Sequence, residues 1–261
     1  VKPAFVVAVL LVFAVALSGC GHKPMVVSVP PAPSISASDS SSGEQPSVES
    51  NVGKTPESSS ESSGEAAEAA ANEISPDTKP LLIETGIASW YGAPYHNRRG
   101  SNGEIYDMHA MTAAHRTLPL GSIVRVTCIA SGESAVVRIT DRGPFIEGRI
   151  IDLSQAAAQR IGLVRKGTAQ VRIEVLKTPQ PIEVGGRWAV QIGGFGNEDT
   201  ARDMAGHLTR RYHTAKVLTF PSPAGDWWVR VRVQDDKRER AEEVLHAEKT
   251  SEGGVFLVRL D

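Results

Sequence analysis

The amino-acid sequence predicts a mainly β protein with an α+β end: a small β-barrel, then a small βαββαβ unit, both behind an N-terminal segment that cannot fold alone. Three observations carry this. From Gly21 to about Pro80 the chain is Ser, Pro, Ala and Glu with almost no aliphatic periodicity, so it buries too little apolar surface to offset its ordering entropy. Between about Glu84 and Leu176, short β-branched runs alternate with Gly- and Asn-rich turns around one short Ala-rich helix, the pattern of a small barrel. From Arg187 onward, strand-period and helix-period stretches follow one another in the order βαββαβ.

In chain order, residues 1–19 read as an export signal. Lys2 is a short basic region, and Ala4 to Leu17 is an apolar run too short to span a membrane comfortably. It ends in Leu17-Ser18-Gly19-Cys20, which resembles the lipobox of bacterial lipoproteins and implies cleavage before Cys20 and lipidation of its thiol. Residues 20–80 then form a disordered tether, whose end-to-end distance as a flexible coil is roughly 40 Å. With Cys20 acylated, Cys128 has no partner, and its place in the alternation Val124, Val126, Cys128 reads as a small buried hydrophobe. The formal charge of the 261 residues is −2, which gives no basic field for nucleic acid. No His, Cys or carboxylate spacing matches a zinc pattern, so neither metal nor cofactor is expected.

The barrel is expected over residues 81–178. Gly86 to Gly92 opens it as a strand, and a loop rich in Gly, Asn and Arg follows to Gly103. Ile123 to Ile129 and Ala135 to Thr140 are β-branched runs joined by Ser131-Gly132-Glu133-Ser134, a hairpin. A helix runs from Ser154 to Ile161, where Gly162 is placed to stop it, and Ala169 to Leu176 is the closing strand. Asp152, three residues before Gln155, fits either a helix N-cap or a catalytic role. Asp141, Glu104, Asp107 and His115 fall on the turns between these elements, where a braced scaffold can present an acid/base site.

Gly86-Ile87-Ala88-Ser89-Trp90-Tyr91-Gly92, Ser101-Asn102-Gly103-Glu104, Met111 to Pro119, Arg138 to Pro144 and Gly148 to Ser154 together resemble the rare lipoprotein A family. That resemblance implies a double-psi β-barrel acting as a lytic transglycosylase on peptidoglycan. Such a reaction needs an acid for the leaving oxygen and a base for the sugar's C6 hydroxyl, and one carboxyl group can serve as both. Asp141, at a strand end before Gly143-Pro144, is the first choice and Glu104 the second. Asp107 is placed to orient a partner or to stand as a solvated charge. His115 is expected either to tune one of these carboxylates or to act as a structural bridge.

Pro179 to Gly186 reads as a stiff linker, and the last unit occupies residues 187–261. Its strands are Arg187 to Phe195, Ala215 to Phe220, Trp227 to Val233 and Val255 to Leu260. Two helices alternate with them, the first capped near Asn197. This is the ferredoxin-like order. Trp188-Ala189-Val190-Gln191-Ile192-Gly193-Gly194-Phe195 resembles the start of a sporulation-related repeat (SPOR) domain, whose family binds glycan strands lacking stem peptides. Gln191, Trp227, Trp228 and Arg230 are the expected glycan contacts, although alternation keeps Trp227 and Trp228 from facing the same side. Pro-bracketed boundaries and separate apolar periodicities predict two independent units. The resemblances imply a lipid-anchored monomer in the cell envelope, at the outer membrane facing the periplasm and enriched at the division septum. The rival reading is a septal lipoprotein that binds or loosens peptidoglycan without cleaving it.

Overall fold

The structure is a computed structural model and describes residues 77–261 together with Ala69 and Ser75. Cys20 and the apolar run before it lie outside the described residues, as does nearly all of the tether.

The first fold is a closed barrel. Its strands are β1 (Leu82–Trp90), β2 (Thr112–His115), β3 (Ile123–Cys128), β4 (Ser134–Asp141), β5 (Arg149–Leu153) and β6 (Ala169–Lys177), with helix α1 (Gln155–Arg160) between the last two. Around the barrel the order is β1-β5-β2-β4-β3-β6. The β1–β5 and β2–β4 pairs are parallel, and the remaining neighbours run antiparallel. Alternation fills the interior: Val124, Val126 and Cys128 point inward from β3, Val137 and Ile139 from β4, and Val171, Ile173 and Val175 from β6. A barrel this small is packed solid with side chains. The expected hairpin is β3–β4, and Gly132 supplies the left-handed turn with φ 74°.

Two strands carry no periodic signal. Strand β2 is four residues long and buried throughout, because it is paired on both sides and covered on both faces, so alternation never appears in Thr112-Ala113-Ala114-His115. Strand β5 holds Asp152 within the sheet, opposite Ser89 and Ala114. The cap of α1 is Ser154, whose hydroxyl accepts from Ala157 N–H. Asp152 is therefore not the cap, which frees its carboxyl for the interior of the site.

The second fold is a four-stranded antiparallel sheet in the order β10-β7-β9-β8. It comprises β7 (Trp188–Phe195), β8 (Lys216–Pro221), β9 (Trp227–Arg232) and β10 (Gly254–Arg259), with α2 (Glu198–Arg211) and α3 (Arg238–Ala247). Asn197 caps α2 by accepting from Thr200 N–H at 2.9 Å. Trp188, Val190 and Ile192 join Ala201, Leu208, Ala241 and Val244 in a core on the helix side. Gln191, Trp228, Arg230 and Phe256 belong to the opposite, helix-free face by register.

Each fold has its own core, and the two are nevertheless joined by a seam. Phe145 of the barrel meets Trp228 and Phe256, with ring centroids 5.3 and 5.8 Å apart. Arg259 N–H donates to the Arg116 carbonyl at 3.0 Å. The buried Arg142 guanidinium donates to the carbonyls of His115, Leu118 and Asp261. Burial and the nearby Arg259 charge push Arg142 down to about 10. Most of these links run to main-chain oxygens, which leave no trace in a sequence.

Candidate active site

Strand β4 ends at Asp141, and the turn after it is built on Gly143, whose φ of 152° suits only glycine. Asp141 Oδ1 accepts three hydrogen bonds, from Ser101 N–H (3.0 Å), the Ser101 hydroxyl (2.5 Å) and Arg142 N–H (2.7 Å). These fix the carboxylate and leave Oδ2 without a hydrogen bond among the described residues, beside Gly100 in a cleft of about 380 Å³. A carboxylate held by one oxygen and open at the other is arranged to exchange a proton with a bound ligand.

Asp152 lines the same cleft. It accepts from the Ser89 hydroxyl at 2.6 Å and from Arg149 at 3.2 Å. Burial pushes its carboxyl above the ordinary aspartate range, against the opposing pull of Arg149, Ser89 and Arg116. The cleft therefore holds two carboxyl groups in different surroundings. Only the sheet position of Asp152, unreadable from a motif, separates it from a capping residue. Tyr91 and Tyr106 floor this region as a stacked pair with centroids 4.3 Å apart, and burial raises both phenols.

Glu104 lies beside rather than within the cleft. Arg138 grips it with two bonds of 2.9 and 2.6 Å, and that fork holds its carboxyl below the usual glutamate range. It is thus a poor proton donor near neutrality and a good anchor for the 100–106 loop. Asp107 sits on the surface and accepts from His109 N–H in a local turn, with His96 3.8 Å away.

His115 is brought to neither Glu104 nor Asp141. Its Nδ1 accepts from the N–H groups of Thr117 and Leu118, and Nε2 faces Glu84 at 3.5 Å. Two donors at Nδ1 put the proton on Nε2, so the neutral ring bridges β1 and the turn after β2. Burial lowers the imidazole below its ordinary range despite Glu84. The sign of the pH effect follows: on acidification the unfolded chain takes up this proton first, so stability falls below about pH 6.5. Glu84, lowered by its bond to His115, adds loss in the same direction as pH drops further. The melting temperature should fall from about pH 7 to about pH 5, and His115→Gln should flatten that slope. An unchanged slope in the variant would assign the acid sensitivity to other groups.

From the second fold, Gln191, Trp228 and Arg230 line the cleft that holds Asp141. Trp227 does not; it packs with the helix-side core. Among the described residues, no group of three or more His, Cys, Asp or Glu is placed to hold a metal ion.

A closed six-stranded barrel with crossed parallel pairs and cleft carboxylates, followed by a βαββαβ sheet, defines a double-psi barrel coupled to a small sheet domain. Residues 83–173 match the family described as lytic transglycolase, and residues 184–258 match the SPOR domain. A Vibrio cholerae protein named endolytic peptidoglycan transglycosylase RlpA is 61% identical over 100 residues, covering 38% of each chain. A Neisseria meningitidis protein of the same name is 49% identical over 123 residues, covering 46% of this chain and 52% of its own. The chain spans about half the length, or less, of these two relatives. A solved expansin from Clavibacter michiganensis aligns with 59% of this chain and 81% of its own at 14% identity, with a TM-score of 0.30.

Proposed function

We propose that this protein is a lytic transglycosylase that cuts peptidoglycan glycan strands, preferring those without stem peptides, and leaves 1,6-anhydro-muramyl ends. The observation that carries the reading is the shared cleft of Asp141 and Asp152, one carboxyl exposed through a single oxygen and the other raised by burial. The family of the barrel and the names of its relatives support the same chemistry. Asp152, which holds its proton more readily than an ordinary aspartate, donates it to the leaving glycosidic oxygen. Asp141 Oδ2 takes the proton from the C6 hydroxyl, whose oxygen bonds to C1 and closes the anhydro ring. Passing that proton back to Asp152 restores the starting state, and no water enters the products. Glu104 holds the loop that positions Ser101 under Asp141, while His115 and Asp107 act outside the reacting atoms.

The test is incubation of the protein with purified peptide-free strands and mass spectrometry of the ends. New 1,6-anhydro-muramyl termini are expected; binding without new termini would leave the non-catalytic reading standing. The lipobox-like Leu17-Ser18-Gly19-Cys20 supports a lipid anchor at Cys20 on the outer membrane, facing the periplasm. The SPOR domain supports enrichment at the septum, where peptide-free strands accumulate as daughter walls part. Incorporation of a palmitate analogue that Cys20→Ser abolishes checks the anchor, and fluorescence of the tagged chain in dividing cells checks the septum.

A further inference from the structure

The helix-free face of the SPOR sheet is covered by the barrel over part of its area, while Leu218 on β8 stays exposed. Trp228 and Phe256 on that face are each 7% exposed, because Phe145 and the Arg116 guanidinium of the barrel cover them. At the other end, Ser222 and Asp226 of the β8–β9 hairpin line the same cleft as Tyr95 of the barrel. Between these contacts lies the cleft with Asp141 and Asp152 on one side and Gln191 and Arg230 on the other.

Charge and hydrogen bonding single out Arg230. The lining carries five arginines against three aspartates, so an anionic ligand is favoured. The Arg142 guanidinium is committed to main-chain carbonyls and that of Arg149 to Asp152, while Arg98 and Arg99 are on the exposed rim. Arg230 is different. Its two hydrogen bonds, of 3.2 and 2.6 Å, both go to the neutral amide oxygen of the buried Gln191, and the ring of Phe220 lies 5.1 Å from its guanidinium carbon. It is thus held rigid without its charge being neutralised by a hydrogen-bonded carboxylate, and Asp141 is close enough to act on it electrostatically.

We propose that the C-terminal sheet is one wall of the catalytic cleft, and that Arg230 positions the substrate there by taking the carboxylate of a muramic acid lactyl group. The idea rests on the glycan-cleaving reading above. A lactyl group joined to a stem peptide ends in a neutral amide, whereas a peptide-free one ends in a planar anion that suits a guanidinium fork. Selection for bare strands then operates at the bond being cut, and not only where the protein docks.

The test compares two tetrasaccharides, too short to reach the cleft and a separate docking site at once. One carries free lactyl carboxylates and the other has them converted to primary amides. The wild-type chain should favour the free acid in kcat/KM. Arg230→Gln should lower kcat/KM on the free acid by about 10- to 100-fold more than on the amide, and Arg230→Lys should fall between. A preference that survives Arg230→Gln, or an equal fall on both substrates, would overturn the proposal. Should the wild-type chain cut neither tetrasaccharide, the enzymatic reading fails separately, and equilibrium binding of the same pair decides: a preference lost in Arg230→Gln supports the carboxylate contact, and one retained refutes it.

Discussion

Asp141→Asn is expected to lower glycan cleavage by about 10²- to 10⁴-fold, the range for loss of a general acid or base. Its fold should be unaffected. The Asn carbonyl can still accept from Ser101 N–H, the Ser101 hydroxyl and Arg142 N–H, which are the bonds that hold the 100–101 loop to the end of β4. What disappears is the oxygen without a hydrogen bond that faces the cleft, replaced by an amide that cannot accept a proton from the C6 hydroxyl. The measurement is the rate of new 1,6-anhydro termini at saturating strands, beside a melting curve. Glu104→Gln is the informative contrast. It replaces a charged fork from Arg138 with a neutral contact and loosens the loop under Asp141, so activity should fall but remain measurable. If Glu104→Gln is silent for cleavage while Asp141→Asn is fully active, the proton path assigned to this cleft is wrong at both ends.

The contrast also shows where sequence reading stops. Elements with one wet face were legible: β3 and β4 alternate, Gly132 marks their turn, and Asn197 announces α2. The split between Trp227 and Trp228 was legible in kind, because adjacent strand residues must face opposite sides, yet which one reached the cleft depended on where the helices packed. Strands β2 and β5 were not legible as strands, β2 being four residues covered on both faces and β5 only five residues long. Asp152 was ambiguous for the same reason: capping and catalytic carboxylates look alike until burial is known. For His115 the sequence allows both tuning and bridging, but its partner Glu84 lies 31 positions earlier on a strand that no motif links to it. The seam between the two units had no sequence signal, since the Arg142 guanidinium and the Arg259 main-chain N–H donate to main-chain oxygens and Phe145 sits in a loop after Pro144.

That seam makes the consequence of removing the SPOR domain the sharpest remaining question. Cutting the chain after Thr178 should leave a folded barrel, because strands β1 to β6 close on themselves and the apolar core of the barrel is complete without the second sheet. Arg142 loses the Asp261 oxygen but keeps two carbonyl acceptors, and the freed Nη2 reaches water, so little stability is lost. The cleft loses far more. Gln191, Trp228 and Arg230 go with the sheet, and with them a guanidinium whose hydrogen bonds go to a neutral amide. Cleavage of the free-acid tetrasaccharide should therefore fall by about 10²-fold or more in kcat/KM, with near-normal circular dichroism. An independent targeting module makes the opposite forecast: cleavage of so short a strand would match the full chain, and only action on whole sacculi would suffer. Equal rates on the tetrasaccharide would detach the sheet from the active site, and a large loss on it cannot be explained by lost targeting, since a soluble short ligand needs no delivery.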